Sequence, residues 1–234
     1  MELSKRLSAV AGLVTEGASV ADIGTDHGYI PIYLAGRDRR TKLLAMDVNP
    51  GPLSRAAAHI REEGLGERIE LRLSDGLSAL KPGEVHTIIA AGMGGPLVIR
   101  ILEAHPEVTA SVREFVLQPQ SGIRQVRAWL ETHGFLIDRE DMVEEDGKYY
   151  PMMRAVHGQE SRPYEETELL YGRKLLEARH PVLRAYLLRE ERIRKEILDA
   201  LAQAGTEAAA GRVREIGEEL RRVREALARL EGEE

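Results

Sequence analysis

Residues 20–28 read V-A-D-I-G-T-D-H-G. A short apolar run carrying Asp22 ends at Gly24, and Gly28 follows four residues later, with Thr25, Asp26 and His27 between them. A strand that runs into a glycine-rich turn and then a helix is how α/β folds cradle a nucleotide-like ligand. The glycines let the backbone bend sharply and pass close to what it holds. A dinucleotide site would show G-x-G-x-x-G with a pyrophosphate on the helix N-terminus. Here Asp22 takes the first position and Asp26 lies in the turn, and two carboxylates would repel a pyrophosphate. They suit a cationic ligand with an amine and a sulfonium.

Two more acids stand at matching places. The run 43–47 ends in Asp47, and the run 69–73 leads into Ser74-Asp75-Gly76. Ligands of open α/β sheets sit at the carboxyl ends of the strands, so Asp22, Asp47 and Asp75 would share one edge. Taken singly, each is an ordinary turn former; together with the glycines they point to one ligand site. A flavin or nicotinamide enzyme could use an acid at 47. It would not need Asp22 or Asp75, and it would want a third glycine near position 29, where this chain has Tyr29.

Alternating strands and helices must position these groups. A helix is expected over 3–14, from Leu3, Leu7, Val10 and Val14 at helical spacing. Strands are expected over 19–23, 43–47, 69–73, 85–90 and 114–118. Helices are expected over 29–34, 53–63, 96–104 and 123–133. Asn49-Pro50-Gly51 reads as a turn cluster, and Gly92, Gly94 and Gly95 as a loop after the fourth strand. Two last strands, 135–143 and 149–157, are joined by the hairpin signal Glu145-Asp146-Gly147. After about residue 157 strand signals vanish. Val213, Ile216, Leu220, Val223, Leu227 and Leu230 keep a 3-4 spacing, and Leu183, Tyr186, Ile193, Ile197, Ala200 and Ala204 fit a similar seam, with Gly205 and Gly211 between the two. That predicts an antiparallel coiled-coil hairpin, with a pair of ordinary packed helices as the alternative. The expected domains are 1–157 and 158–234.

The 234 residues suffice for one α/β domain with an appendage. There is no cysteine, which excludes a disulfide framework and a cysteine-based metal site or nucleophile, and fits a cytoplasmic protein. The longest uncharged run, 87–99, is too short to span a bilayer, and the N-terminus lacks a signal peptide's apolar core. No membrane or metal partner is expected. The net charge of −6 means that any nucleic-acid contact must use a local patch.

The pattern D-x-G-x-x-x-G resembles motif I of the class I S-adenosylmethionine methyltransferases. Alternating β and α with a terminal hairpin matches their fold: α/β, Rossmann-like, a mostly parallel sheet with an antiparallel C-terminal edge hairpin, here with an all-α coiled-coil domain added. The resemblance implies S-adenosyl-L-methionine as cofactor. Asp47, with Val48 beside it, would accept the ribose hydroxyls. Asp75 and Gly76 would meet the adenine amino group, with Leu77 near the base. Gly24 and Gly28 would pass the methionine part, and Asp22, Thr25 and Gly92 complete the cofactor set. Many amino-group methyltransferases carry (D/N)-P-P-(Y/F) after the fourth strand. This chain has Ala91-Gly92-Met93-Gly94-Gly95, with no side chain to handle an amine proton, although a tight turn capping a helix would need the same glycines.

With that loop, D-I-G-T-D-H-G, Asp75-Gly76-Leu77 and Leu117-Gln118-Pro119-Gln120 read together, residues 1–156 resemble the bacterial tRNA (adenine-22 N1)-methyltransferase family, TrmK. R-L-S-A-V-A at 6–11, D-V-N-P-G-P-L at 47–53 and K-Y-Y at 148–150 belong to the match, and members carry a C-terminal coiled coil. Gly28 stands where many relatives have Ala, and Gln120 where Asn is usual. The implied reaction is methyl transfer to adenine N1, which bears a lone pair and no proton, so positioning and tolerance of a new cation are the main needs. Asp26, with His27, is the candidate for the catalytic electrostatic role; Asp26 could instead contact the cofactor, and His27 could simply cap a helix. Tyr29, Met93, Gly94, Gln118, Gln120, Tyr149 and Tyr150 are the candidates for holding a base out of its stack. For tRNA phosphates the basic run 36–42 and the pair Arg124 and Arg127 are candidates. The helical hairpin could grip tRNA or form a dimer arm. Two other readings keep the fold: a small-molecule or protein acceptor, and a cofactor-fold scaffold that recruits a partner through its coiled coil.

Overall fold

The computed structural model describes residues 2–38, 41–204 and 207–232 and divides into two units, Met1–Pro163 and Tyr164–Glu234. The first holds seven strands in one sheet, β1 (Val20–Ile23), β2 (Leu43–Asp47), β3 (Ile69–Leu73), β4 (Thr87–Gly94), β5 (Glu114–Ser121), β6 (Phe135–Glu145) and β7 (Lys148–His157), in the order β3-β2-β1-β4-β5-β7-β6. β1 to β5 are mutually parallel, whereas β7 runs antiparallel to both β5 and β6. The chain order reverses beside β1, which pairs with β2 on one side and β4 on the other. Such a switch point opens a crevice at the carboxyl edge.

The central strands are apolar on both faces because both faces are covered. Val10, Ala11 and Leu13 of α1 (Lys5–Leu13), Ile30 and Leu34 of α2 (Tyr29–Arg37), and Ala56 and Ile60 of α3 (Pro50–Glu62) pack with Leu43, Ala45, Ile89 and Val116. Ile88, Phe115 and Leu117 alternate to the opposite face and are fully buried. The remaining helices of this unit are α4 (Gly95–Ala104), α5 (Pro106–Thr109) and α6 (Ile123–Thr132).

The second and third strands match their expected bounds. Three differences concern the site. Asn49-Pro50-Gly51 is the N-cap and first turn of α3 rather than a separate turn, since Pro at the first helical position lacks only an N–H that would be orphaned anyway. The glycine loop after the fourth strand is largely strand: Ala91 pairs with Gln118 and Met93 with Pro119, leaving Gly92 as a bulge. The final hairpin extends to Glu145↔Lys148, with Asp146 and Gly147 both at positive φ as a two-residue turn of this twist requires.

The second unit contains α7 (Glu166–Tyr171), α8 (Arg173–Glu177), α9 (Pro181–Ala204) and α10 (Glu207–Glu231). The ion pairs Arg184–Glu231, Arg224–Glu191 and Arg194–Glu219 set α9 antiparallel to α10. The expected hairpin seam holds along α10, where Ile216, Leu220, Val223, Leu227 and Leu230 are buried. On α9 it holds only near the base. Of the expected residues Leu183 is buried and Tyr186 and Ile193 are half-buried, whereas Ile197 is 37% exposed and Ala200 is exposed; Leu187, outside the expected set, is also buried. The sequence seam did not anticipate α7 and α8, whose Leu169, Leu175 and Leu176 are also buried. Gly211 lies inside α10, not between the helices, and Gly205 lies outside the described residues. No helix among the described residues is long and apolar enough to cross a membrane, and no cluster of three or more acidic or His side chains among them is arranged to hold a metal ion.

Candidate functional site

Asp22 sits within β1 and is 5% exposed. The turn above it is tied to β2, because the backbone N–H groups of Gly24 and Thr25 both donate to the Met46 carbonyl (2.8 and 2.9 Å). Gly24 has φ +75°, a conformation other residues resist, and the Met93 methyl occupies the space a side chain at 24 would need. Burial pushes the Asp22 carboxyl up to about 7; the Thr25 hydroxyl opposes the rise, and the Asp47 charge adds to it. A buried carboxyl with so poor a tolerance for its own charge is poised to accept a cation.

Asp47 ends β2, and its Oδ1 accepts the Asn49 backbone N–H at 2.7 Å. Asp75 is exposed after β3. Its loop is braced by Ser74, whose N–H donates to the Asp47 carbonyl (2.9 Å) and whose hydroxyl donates to the Gly76 carbonyl (2.9 Å). Beside these acids Val48 and Leu73 are 55% and 60% exposed, apolar surface at the edge where a planar base would need it. Leu77, at 1% exposure, lies in the wall instead. Gly76 is buried, and a side chain there would meet Ile101 at 3.1 Å, so its smallness also serves packing against α4.

Asp26 is ion-paired with Arg55 of α3 and lies 3.3 Å from His27 Nε2. The Arg55 hydrogen bond, with smaller help from His27, holds the Asp26 carboxyl below the usual carboxylate range. One turn along α3, His59 Nδ1 donates to the His27 carbonyl at 3.1 Å. The rings of His27, Tyr29 and His59 stack on one another at 5.0–5.4 Å with interplanar angles of 8–19°. Gly28 caps α2 and lies against Ala56 and Ile60, 3.4 and 3.5 Å from where a Cβ would stand.

Around a cavity of about 320 Å³ the structure brings together Asp22, Gly24, Thr25, Asp26, His27, Gly28 and Tyr29 from motif I, and Gly92 and Gln120 from β4 and β5. A second cavity of about 310 Å³ shares Gln120 and is lined by Gln118, Tyr149 and Tyr150. Asp47, Val48, Asp75 and Gly76 line neither and belong to the strand ends alongside. Met93 lies over Gly24, and Gly94 against Ser121. Gln118 is fully buried and accepts a hydrogen bond from Arg6 Nη1 at 2.9 Å, whereas Gln120 is exposed.

Sequence reasoning missed Arg6, Arg55 and His59. Arg6 belongs to the R-L-S-A-V-A string, and Arg55 and His59 stand four apart on one helix face, signals that only the fold connects to the site. The pairing of Arg124 and Arg127 for phosphate contact needs correction. Arg127 is 1% exposed, and its Nε and Nη2 both reach Glu140 Oε1 at 2.8 Å, so its charge is spent inside the protein. Arg124 is exposed. Arg39 and Arg40 of the basic run 36–42 lie outside the described residues.

The model of a methyltransferase-domain family matches residues 3–153. The chain is 31% identical to the tRNA (adenine(22)-N(1))-methyltransferase of Bacillus subtilis, over 97% of this chain and 98% of that protein. It is similar to the crystal structure of the B. subtilis m1A22 tRNA methyltransferase TrmK (TM-score 0.83, 31% identity, 97% and 99% of the two chains). It is likewise similar to the structure of M. capricolum TrmK in complex with the cofactor product S-adenosyl-homocysteine (TM-score 0.82, 28% identity, 98% and 100%).

Proposed function

This chain belongs to the tRNA (adenine(22)-N(1))-methyltransferase family, and we propose that its carboxyl-edge cleft binds S-adenosyl-L-methionine and presents N1 of adenine 22 of tRNA to it. The observation that carries this reading is the buried, hard-to-ionise Asp22 beneath the Gly24 turn, on one cavity with Gly92 and Gln120. The donor set fits the cofactor. Asp22 answers its cationic end, Asp47 and Asp75 suit hydroxyl and amino donors farther along the edge, and Val48 and Leu73 offer apolar surface for the adenine ring. When bound, the cofactor supplies an electrophilic methyl on a sulfonium.

No base is needed at the acceptor. The N1 lone pair forms the new N–C bond while the old C–S pair stays with sulfur, and the positive charge ends on adenine. Asp26 lines that cavity as a carboxylate held ionised by Arg55, and it is assigned the role of favouring that charge. N1 lies on the Watson–Crick edge, so the base must leave its stack. Tyr29, stacked with His27 and His59, and Tyr149 in the adjoining cavity are assigned to hold it. Gln118 is engaged by Arg6, which leaves the exposed Gln120, shared by both cavities, as the amide for the base edge. A tRNA substrate places the reaction in the cytoplasm. The helical hairpin either grips the tRNA body or pairs two copies, and light scattering with and without tRNA separates these.

The test is transfer of labelled methyl from S-adenosyl-L-methionine to unmodified tRNA carrying A22 and to the same tRNA carrying G22, followed by nucleoside analysis. One 1-methyladenosine per tRNA, absent from the G22 substrate, is the expected result. Methylation of both substrates, or of neither while the cofactor still binds, overturns the acceptor assignment.

A further inference from the structure

The two adjoining cavities differ in charge. Asp22 and Asp26 line the first. No acidic residue among the described ones lines the second, whose walls include the Gln118 and Gln120 amides, Tyr149, Tyr150 and Lys148. Lys148 opens β7 and is exposed. The terminal hairpin sets Glu145 opposite Lys148 and Glu144 opposite Tyr149, and opposite charges facing each other across a strand pair ordinarily attract. Here both carboxylates are taken by the backbone. Glu145 Oε1 accepts the Lys5 N–H at 2.6 Å, and Glu144 Oε1 accepts the Gly147 N–H at 2.8 Å. No carboxylate among the described residues forms an ion pair with the Lys148 ammonium. In a chain of net charge −6, an unneutralised cation on an acid-free cavity is a local exception, and it borders the cavity that holds the cofactor acids.

Resting on the tRNA reading above, we infer that Lys148 holds a backbone phosphate flanking adenine 22, and that the second cavity seats the sugar–phosphate of the extruded nucleotide. Gln120 lines both cavities, so a base edge held at Gln120 leaves its backbone on the Lys148 side. Extruding a base carries its flanking phosphates off the helical path, and the displaced strand must be held while N1 meets the methyl. Phosphate contacts position a nucleic acid without reading its sequence. An ammonium is a point charge on a flexible stem, suited to a phosphate that arrives by rotation. A carboxylate lining this cavity would repel the strand. The carboxylates line the neighbouring cavity instead, where the ligand is cationic.

The experiment compares the full-length protein with its Lys148→Ala and Lys148→Arg variants on three tRNAs. One carries natural phosphates, and the others carry an uncharged methylphosphonate on the 5′ or the 3′ side of A22. Thermal melts check folding and calorimetry checks cofactor binding. On natural tRNA, Lys148→Ala should lose about five- to tenfold in kcat/KM, mostly through KM, with the cofactor Kd changed less than twofold and Lys148→Arg within threefold of wild type. The slope of log Kd for tRNA against log salt should shrink by about 0.7–0.9. Wild type should suffer the same loss on one of the two methylphosphonate tRNAs, and Lys148→Ala should lose less than twofold more on that substrate. Losses that multiply on both modified tRNAs would mean that Lys148 meets neither phosphate, and would overturn the inference. Unaltered turnover in Lys148→Ala, or a loss shared equally by cofactor binding, would overturn it as well. Should Lys148→Ala not fold, Lys148→Gln supplies the uncharged comparison. Failure of wild type to methylate the natural A22 tRNA would sink the acceptor reading itself, a result distinct from any of these.

Discussion

Cofactor affinity should carry the titration of Asp22. The carboxyl is buried, and burial with the Asp47 charge pushes it up to about 7. A ligand whose cationic end needs the ionised form must displace the proton below that pH. At pH 5.5 about 3% of the carboxyl is ionised, so binding should be about 30-fold weaker than its plateau above neutrality, tenfold per pH unit well below 7. Calorimetry at pH 6 in buffers of differing ionisation enthalpy should register release of about 0.9 proton per cofactor bound. Asp22→Asn mimics the protonated state. It should bind within about threefold of wild type at pH 5.5 and at least tenfold more weakly at pH 7.5, with no proton release. The free protein should show the complementary trend. A carboxyl raised in the folded state stabilises the fold at low pH and withdraws that stability as pH rises through about 7. Between pH 5 and 8 wild type should lose about 2–3 kcal/mol relative to Asp22→Asn. A flat affinity profile between pH 5.5 and 7, or the same slope in Asp22→Asn, would refute the reasoning.

Asp26→Asn should lower single-turnover methyl transfer by about 10- to 100-fold while changing the cofactor Kd less than threefold; an unaltered rate would remove Asp26 from the chemistry. Gly24→Ala forces a Cβ into a positive-φ turn and onto the Met93 methyl. It should cost about 1–2 kcal/mol and at least tenfold in cofactor affinity, and adding Met93→Ala should leave most of the loss, since the backbone strain persists; full recovery would show that only crowding mattered. Arg127→Met and Glu140→Gln each strand a buried charge or its partner, so each should lower stability by about 3–5 kcal/mol in urea melts without changing the salt dependence of tRNA binding. A changed salt slope for Arg127→Met would return that residue to the RNA surface.

What the sequence disclosed about the site is what lies on contiguous residues. Val20–Gly28 carries its strand, its turn and its acid in one string, and Asp47 and Asp75 follow runs whose bounds are unambiguous. The mostly parallel sheet with its antiparallel edge hairpin follows from alternation and the 145–147 turn. The groups that convert these acids into a working pocket come from elsewhere. Arg55 and His59 reach Asp26 and His27 across about 30 residues of chain, and Arg6 reaches Gln118 across 112. A helical periodicity shows that Arg55 and His59 share a face but not what the face meets. Arg127 misled for the same reason. Its spacing from Arg124 looks like a basic stripe, and only the return of β6 supplies Glu140. The distal part of α9 has apolar residues at seam spacing, yet Ile197 stays exposed, because spacing specifies a stripe without guaranteeing a partner along its whole length.

The distribution of charge gives the site its logic. Asp26 is exposed and already matched by Arg55, so its cost to the fold is small and it is ionised at any working pH. Asp22 is buried, with the Thr25 hydroxyl nearby and a second acid, Asp47, opposing its charge. Arg6 is half-buried and held by neutral groups. A protein under selection for stability alone would pair Asp22 with Arg6 directly, and both line the same cavity. Instead a carboxyl that resists its own charge and a guanidinium with no carboxylate partner among the described residues line one space, the pattern expected of a ligand that brings both signs itself. The neutral Gln118 orients the Arg6 guanidinium without neutralising it. Gln118→Glu would place a carboxylate on Arg6 and against the Pro119 carbonyl that the amide N–H now meets; it should weaken cofactor binding in calorimetry, and unchanged binding would place Gln118 among the purely structural residues of β5.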